Sequence, residues 1–414
     1  MRTYLWVITR GVGIPNVHNI PLGALNSHIH LYKASHKDFA QAFYSSSGWL
    51  SYASHNVLET LDNAKRLKLE DPRDRVYAFT ELPQAPGQHI KPWPNYRDSY
   101  LYTYRQFATE YVQATKDTTI LDYVCHGDKV LVDIPSWVPR WEIPQWSLSS
   151  HFGLETAPQS RTQTTHEPSI EDDGSLKVRG VIFDTVLYIS DLHQRKESIT
   201  AEAIRRIWES VTASIVECPY VASNGNQSIR LEAFLDALSV GRYEGDYNQW
   251  ILDTESFAKG ARLKQTSRNE NKFPTRFLRT SLVSKLRRLR SSISHYRNST
   301  IATEGADNSN AYFNFVRRMI VGKRFILTAR GYMGLAPAVV REGALCGNVF
   351  GCRTPCILQR TSREKHYKFL GGMTLMGKES FETEEGDIGF YILGEDESKD
   401  WIDWDVDEQD MYLC

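Results

Sequence analysis

The sequence predicts an α+β fold, and three observations carry that expectation. Val57, Leu58, Leu61, Ala64 and Leu67 recur at helical spacing. Residues 153–175 hold almost no apolar side chains, a polar break in the chain. From residue 324 onward, short apolar pieces alternate with Gly, Pro or charge, the pattern of a small antiparallel sheet or barrel. The expected layout is a helical N-terminal block over 1–150, a polar linker over 151–175, a mixed α/β region over 176–323 and a β-rich block with an acidic tail over 324–414.

The apolar stripe predicts a helix over 56–68. A second helix has a clear start. Asp71 can accept from backbone N–H groups, Pro72 loses no hydrogen bond there, and Asp74 suits the helix dipole. Val76, Tyr77 and Phe79 would face the core until Pro83, Pro86 and Gly87 end the helix. Residues 98–116 put Tyr100, Tyr104, Phe107, Ala108 and Tyr111 on one side of a third helix. Leu121–Val124 and Lys129–Val132 read as short strand or helix pieces. Ile134–Trp146, with three Pro and three Trp, reads as an irregular but packed segment.

Beyond the linker, Leu176–Ser190 is rich in β-branched residues and reads as two short strands or one bent one. Residues 202–217 form an amphipathic helix by their Ala203, Ile204, Ile207, Trp208, Val211 and Ile215 face. Strand candidates then follow at Arg324–Thr328, Tyr332–Leu335, Leu345–Phe350, Cys356–Arg360, Tyr367–Met373 and Phe390–Leu393.

Lys plus Arg total 49 against 50 Asp plus Glu, a net charge of −1, which argues against a nucleic-acid binder or a polybasic membrane binder. No run nears the roughly 20 apolar residues of a membrane span. Six scattered cysteines read as free thiols in a reducing compartment, with the cytoplasm expected and the nucleus as the alternative. The near-neutral total hides segregated charge. Residues 259–297 carry twelve cations against Glu270, and the chain from Glu379 carries fourteen acids against Lys399. The basic stretch is either a phosphate-binding surface or, as preferred here, a partner for the acidic tail. Trp401 and Trp404 in that tail are candidate anchors.

Chemistry-bearing patterns are sparse. The sequence holds no G-x-S-x-G, G-x-x-x-x-G-K-[ST], H-E-x-x-H or C-x-x-C. Cys346, Cys352 and Cys356 would need His366 to complete a zinc set, and small buried thiols are the simpler reading. His28 and His30 would share a strand face without a third ligand nearby. Cys125 and His126 are adjacent and poorly placed to face each other. No metal or other cofactor is expected. Asp71-Pro72-Arg73-Asp74-Arg75 stands out physically as a capped helix start with two Arg on its exposed turn.

With Val76-Tyr77-Ala78 after it, that segment resembles the stretch closing the heterokaryon-incompatibility (HET) domain of fungal proteins. Further likenesses follow in the family's order. Pro94-Asn95-Tyr96 precedes a Tyr/Phe-rich helix. Ile134-Pro135-Ser136-Trp137-Val138-Pro139 is similar to a Pro-Ser-Trp-Val-Pro segment, with Arg140-Trp141 where Asp-Trp is usual. Leu176–Asp184, Arg324–Leu335, Phe350-Gly351-Cys352-Arg353-Thr354-Pro355 and Tyr367–Gly372 resemble the β elements downstream. The likeness covers residues 56–376. Its motif set here is Asp71, Pro72, Arg73, Asp74, Arg75, Tyr77, Pro135, Ser136, Trp137, Pro139, Trp141 and Gly351.

The chain departs from the family at its N-terminal side. The Ser-Tyr-x-Trp-Gly-like opening of the HET domain, which resembles a TIR fold, has no counterpart. Tyr4-Leu5-Trp6-Val7-Ile8 is similar to a later Trp-Val element, with Thr9-Arg10 in place of Gln-Glu. The resemblance implies a non-enzymatic role in non-self recognition and incompatibility-type cell death, with an unidentified protein partner. The alternatives are an accessory or regulatory partner-binding protein, for example of a biosynthetic gene cluster, and an enzyme with an unrecognised pocket.

Overall fold

A computed structural model describes residues 57–78, 90–148, 167–220, 230–263, 311–382, 388–392 and 406–414, apart from positions 66, 68, 91, 146, 242 and 244–246. His28, His30, Phe79, Pro83, Trp146, Trp401, Trp404 and nearly all of the basic stretch lie outside the described residues.

The N-terminal layer begins with helix α1, Val57–Ala64, whose Val57, Leu58, Leu61 and Ala64 are buried as the spacing predicts. Helix α2 is shorter than expected: one turn, Asp74–Tyr77. Its Val76 and Tyr77 do face the core. Helix α3, Tyr100–Thr115, starts where the Ser99 side chain accepts from the Tyr102 N–H and stops where Lys116 turns left-handed at φ 55°. Tyr104, Phe107, Ala108 and Tyr111 are its buried face. A 3₁₀ turn follows at Thr119–Tyr123. Lys129–Val132 is neither strand nor helix, and Val132 is 90% exposed, so its apolar character signals no element there. Ile134–Ile143 is irregular and packed, with Trp137 and Trp141 fully buried, as its Trp content predicts.

The expected linker ends in structure. Strand β1, Ser169–Ile170, pairs with Lys177 and Leu176, and the turn between is closed by Asp173, which accepts from the Ser175 N–H and hydroxyl. Polarity alone misread 167–175, because the polar side chains there cap a tight turn.

Strand β2, Leu176–Ile189, is one continuous strand of 14 residues, bent where its register shifts between Ile182 and Asp184 and between Val186 and Tyr188. The remaining strands are β3 Lys323–Thr328, β4 Met333–Pro337, β5 Leu345–Val349, β6 Cys356–Arg360, β7 His366–Gly372, β8 Thr374–Glu382, β9 Ile388–Ile392 and β10 Glu408–Leu413. Their order is β10-β7-β6-β5-β2-β3-β4-β8-β9, and β10 also pairs with β2. Strands β2, β5, β6, β7 and β10 therefore close into a ring, and the far half of β2 continues into β3, β4, β8 and β9. Every pairing is antiparallel except β10 with β7.

The α+β expectation holds, and the six predicted C-terminal strands lie close to their expected limits. The sheet does not keep to the expected C-terminal block, because its shared strand comes from 176–189. Strands β8 and β10 were not anticipated. The last acids are part of the sheet: Asp410 pairs with Lys177 and Arg179, and Glu408 with Arg179. Glu408 and Asp410 of the tail thus find their cations on β2.

Helices α4 Ala201–Ala213, α5 Arg230–Ser239, α6 Tyr247–Gly260 and α7 Ala311–Ile320 form a second helical layer. Thr200 caps α4 by accepting from Ala203 N–H. That helix stops at Ala213, so Ile215 lies beyond it and is fully exposed. One core packs these helices on Phe325, Leu335 and Met376 of the sheet. A second packs residues 57–141 on the ring, and a third lies between Val181, Ile326, Ile357 and Leu370.

Close backbone approach demands glycine at Gly334, where an added Cβ would collide with the Thr374 carbonyl of the paired strand. Gly334→Ala is expected to destabilise the fold by about 1–3 kcal/mol, because backbone cannot yield as a side chain does. Chemical denaturation checks it; an unchanged midpoint contradicts the packing.

Candidate functional site

The motif residues gather where the N-terminal layer meets the ring. Asp71 does act as a local cap, but of a turn: its Oδ1 accepts from the Arg73 N–H at 2.9 Å. It also grips the Arg73 side chain, Oδ1 to Nε at 2.9 Å and Oδ2 to Nη2 at 2.6 Å. Arg73 Nη1 donates to the carbonyls of Tyr96 and Asp98, both at 2.6 Å. The Tyr96 ring lies over this guanidinium, 5.2 Å from its centroid. Hydrogen bonding to Arg73 holds the Asp71 carboxyl below its ordinary range, against a smaller opposing effect of burial.

Asp74 accepts from the Tyr96 hydroxyl at 2.6 Å, which pushes the Tyr96 phenol up to about 12, with burial adding to it. Tyr77 bonds the backbone of Asn95 and the Thr103 hydroxyl. Tyr104 donates to the Pro72 carbonyl at 2.9 Å. Arg75 is buried and donates to the Leu67 carbonyl at 3.0 Å. The two arginines thus depart from the exposed pair expected. Arg73 reaches across to the 95–98 turn, and Arg75 turns inward.

The second motif clasps the ring. Ser136 donates its hydroxyl, and also its N–H at 3.1 Å, to the Cys414 carbonyl. The same hydroxyl accepts from the Phe369 N–H at 2.8 Å. His126 takes the other backbone polar group of Phe369, with Nε2 at 2.7 Å from its carbonyl oxygen. Because a carbonyl only accepts, His126 must carry its proton on Nε2. Burial lowers its pKa to about 4, so it is neutral at pH 7. Trp137 donates Nε1–H to the Gly174 carbonyl at 3.2 Å, and Pro139 is buried beside it while Pro135 is half-buried. Arg140 pairs with Glu142 at 2.7 Å.

Trp141 packs edge-on to Phe107 and against Tyr123. The ammonium of Lys65 sits 5.3 Å from its ring centroid. Lys65 is fully buried, bonded to the Tyr123 carbonyl and paired with Asp62 at 2.7 Å. Gly351 turns at φ +89°, and a Cβ there would lie 2.5 Å from the Thr118 hydroxyl oxygen, which donates to the Phe350 carbonyl. Next to it, Asp122 accepts from the Arg353 N–H at 3.0 Å.

Sequence reasoning missed Lys65, Thr118 and Asp122, and undervalued His126. Lys65 left a signal, since it lies four residues after Leu61 on the apolar stripe. The buried carboxylate and imidazole left none, because their partners are more than 230 residues away.

The cysteines do not converge. Cys346 packs in the core between the strands and Cys356 in the core under the N-terminal layer, on opposite faces of the sheet. Burial raises both thiols, Cys356 to about 12, which makes them poor ligands and nucleophiles. His366 stacks on Tyr412 instead, 4.8 Å between ring centroids. Among the described residues no three His, Cys, Asp or Glu are grouped to hold a metal. No described helix is long and apolar enough to cross a membrane.

The Ser136 hydroxyl and the Asp71 and Asp74 carboxylates are each engaged in holding the fold. No family model, curated protein or solved structure matches the chain.

Two outcomes follow. Asp71→Ala should cost roughly 1 kcal/mol, and Arg73→Ala on top should add less than it does alone, a double-mutant cycle measured by denaturation. For His126, the folded pKa of about 4 lies below the ordinary 6.5. Protonation then favours the unfolded chain, so stability present above pH 6.5 should fall as pH drops towards 4, by roughly 2–3 kcal/mol in all. His126→Gln should flatten that slope; an unaltered slope would assign the acid sensitivity elsewhere.

Proposed function

We propose that this chain is a HET-like fungal protein that acts without catalysis, in non-self recognition and incompatibility-type cell death, through an unidentified protein partner. The observation that carries the reading is the joint itself. Residues 71–78, 134–139 and 350–355 resemble the family's ordered motifs, and in this fold they meet one shared layer. Tyr104 holds Pro72, Phe107 holds Trp141, and Thr118 holds the Phe350-Gly351 turn. Such residues are useful only together, which is how a widely spaced family pattern arises. The non-enzymatic part rests on Ser136, Asp71, Asp74 and Asp122, which hold the Phe369 N–H, the Arg73 guanidinium, the Tyr96 hydroxyl and the Arg353 N–H. Six free cysteines suit a reducing compartment, and the cytoplasm is the one we assign.

A second reading, an accessory partner-binding protein, is favoured by one feature. Trp93, Tyr96 and Tyr102 are 84%, 54% and 54% exposed along a single stretch. Exposed aromatics of this kind are frequent anchors at protein interfaces.

Inducible expression in a filamentous fungus separates the two. Cell-death activity should reduce colony viability, and Trp141→Ala, which removes the ring between Lys65 and Phe107, should restore growth. Unimpaired growth at confirmed expression would favour the accessory reading, with Trp93→Ala then expected to weaken partner capture.

A further inference from the structure

Strand β10 occupies a slot with a sequence preference at nearly every position. On one side it pairs with β2 over six residues, from Glu408 opposite Val181 to Leu413 opposite Leu176. On the other it meets β7 at only two positions, Tyr412 with His366 and Leu413 with Tyr367. Met411 and Leu413 point into the core and are fully buried beside Leu176 and Val178. Between them Tyr412 faces outward, stacked on His366 with the Lys177 ammonium 6.0 Å from its ring.

The acids and the backbone are read as well. Asp410 lies 3.3 Å from both Lys177 and Arg179, and Glu408 lies 3.6 Å from Arg179. The N–H groups of Tyr412 and Cys414 donate to the Lys365 and Tyr367 carbonyls, and Ser136 holds the Cys414 carbonyl. Gly180 makes room: a Cβ there would lie 2.5 Å from the Met411 methyl. An extended segment gripped by main-chain bonds, with pockets for alternate side chains, is the geometry of strand addition.

We propose that this slot is a peptide-binding groove for extended segments of the pattern acid–x–acid–apolar–aromatic–apolar, and that the same strand of a second copy of this chain can fill it. The pattern is the chain's own Glu408–Leu413, so every copy carries the ligand as well as the groove. Contacts within and between chains are then identical, and effective concentration decides which forms. The ion pairs at one end are partly exposed and salt-sensitive, so they loosen first as ionic strength rises.

The test spoils the chain's own strand and leaves the groove intact. Met411→Glu in the full chain places a charge in the buried socket. A fluorescent peptide spanning residues 406–414 should bind this variant at least about tenfold tighter than it binds the unaltered chain, and should raise the variant's melting temperature. The same peptide with Met411→Glu should do neither, and Arg179→Glu added to the chain should weaken binding. The proposal is overturned if the peptide does not bind, or if a scrambled peptide binds equally. It is also overturned if the Met411→Glu chain stays unfolded with peptide in excess, since β10 is then an inseparable part of the sheet.

Discussion

One strand has to serve two sets of neighbours, and the rest of the structure is arranged around that constraint. Strand β2 pairs with β10 over residues 176–181, with β5 over 180–185 and with β3 over 186–189. A straight strand could not serve both, because the ring curves away from the second set of strands. The two register shifts supply the bend, and Asp184 sits at one of them. Its carboxylate accepts from the N–H groups of Thr185 and Arg330, so the β3–β4 turn is tied to the place where β2 changes course. Burial raises the Asp184 pKa even so, which shows how dry that corner is.

The N-terminal layer solves a different problem. It has few regular elements and many aromatic side chains, so its irregular backbone must find partners outside itself. The partners are on the ring. Ser136 and His126 take the N–H and the carbonyl of Phe369, Trp137 takes the Gly174 carbonyl, and Thr118 and Asp122 take the turn after β5. A buried peptide group left without a partner costs on the order of 1–3 kcal/mol. Each of these contacts is therefore hard to lose singly. A buried lysine under an indole ring belongs to the same logic, with Asp62 and the Tyr123 carbonyl completing the ammonium's surroundings.

What could be read from the sequence followed from periodicity and punctuation. The α1 stripe, the apolar faces of α3 and α4, and the short strands between glycines are local signals, and the structure keeps them. The packed Pro/Trp segment was legible because three indoles cannot all stand in water. Other features depended on distant residues. The Asp71–Arg75 segment looked like an exposed helix start, yet Arg73 reaches across to hold the Tyr96 and Asp98 carbonyls. Polar residues 167–175 form a hairpin because a neighbouring strand accepts them. The acids of β10 looked like a tail because their cations lie far earlier, on β2: Asp410 and Arg179 are 231 residues apart. No window along the chain contains such a pair. At the joint, the contacts that Asp71, Arg73, Ser136 and Trp141 make became visible only with their partners in place.

The closing of the ring also sets an order of events in the cell. Strand β2 and the Ser136 clasp are synthesised early, but both wait for residues 408–414. At about 5–20 residues per second, the ribosome needs on the order of tens of seconds to cover that distance. During this interval Leu176, Val178, Trp137 and the edge of β2 have no permanent cover. Contacts this distant in sequence also form slowly once the chain is free. The near half of β2 and the Ser136 clasp therefore stay incomplete from the emergence of β2 until β10 has been made.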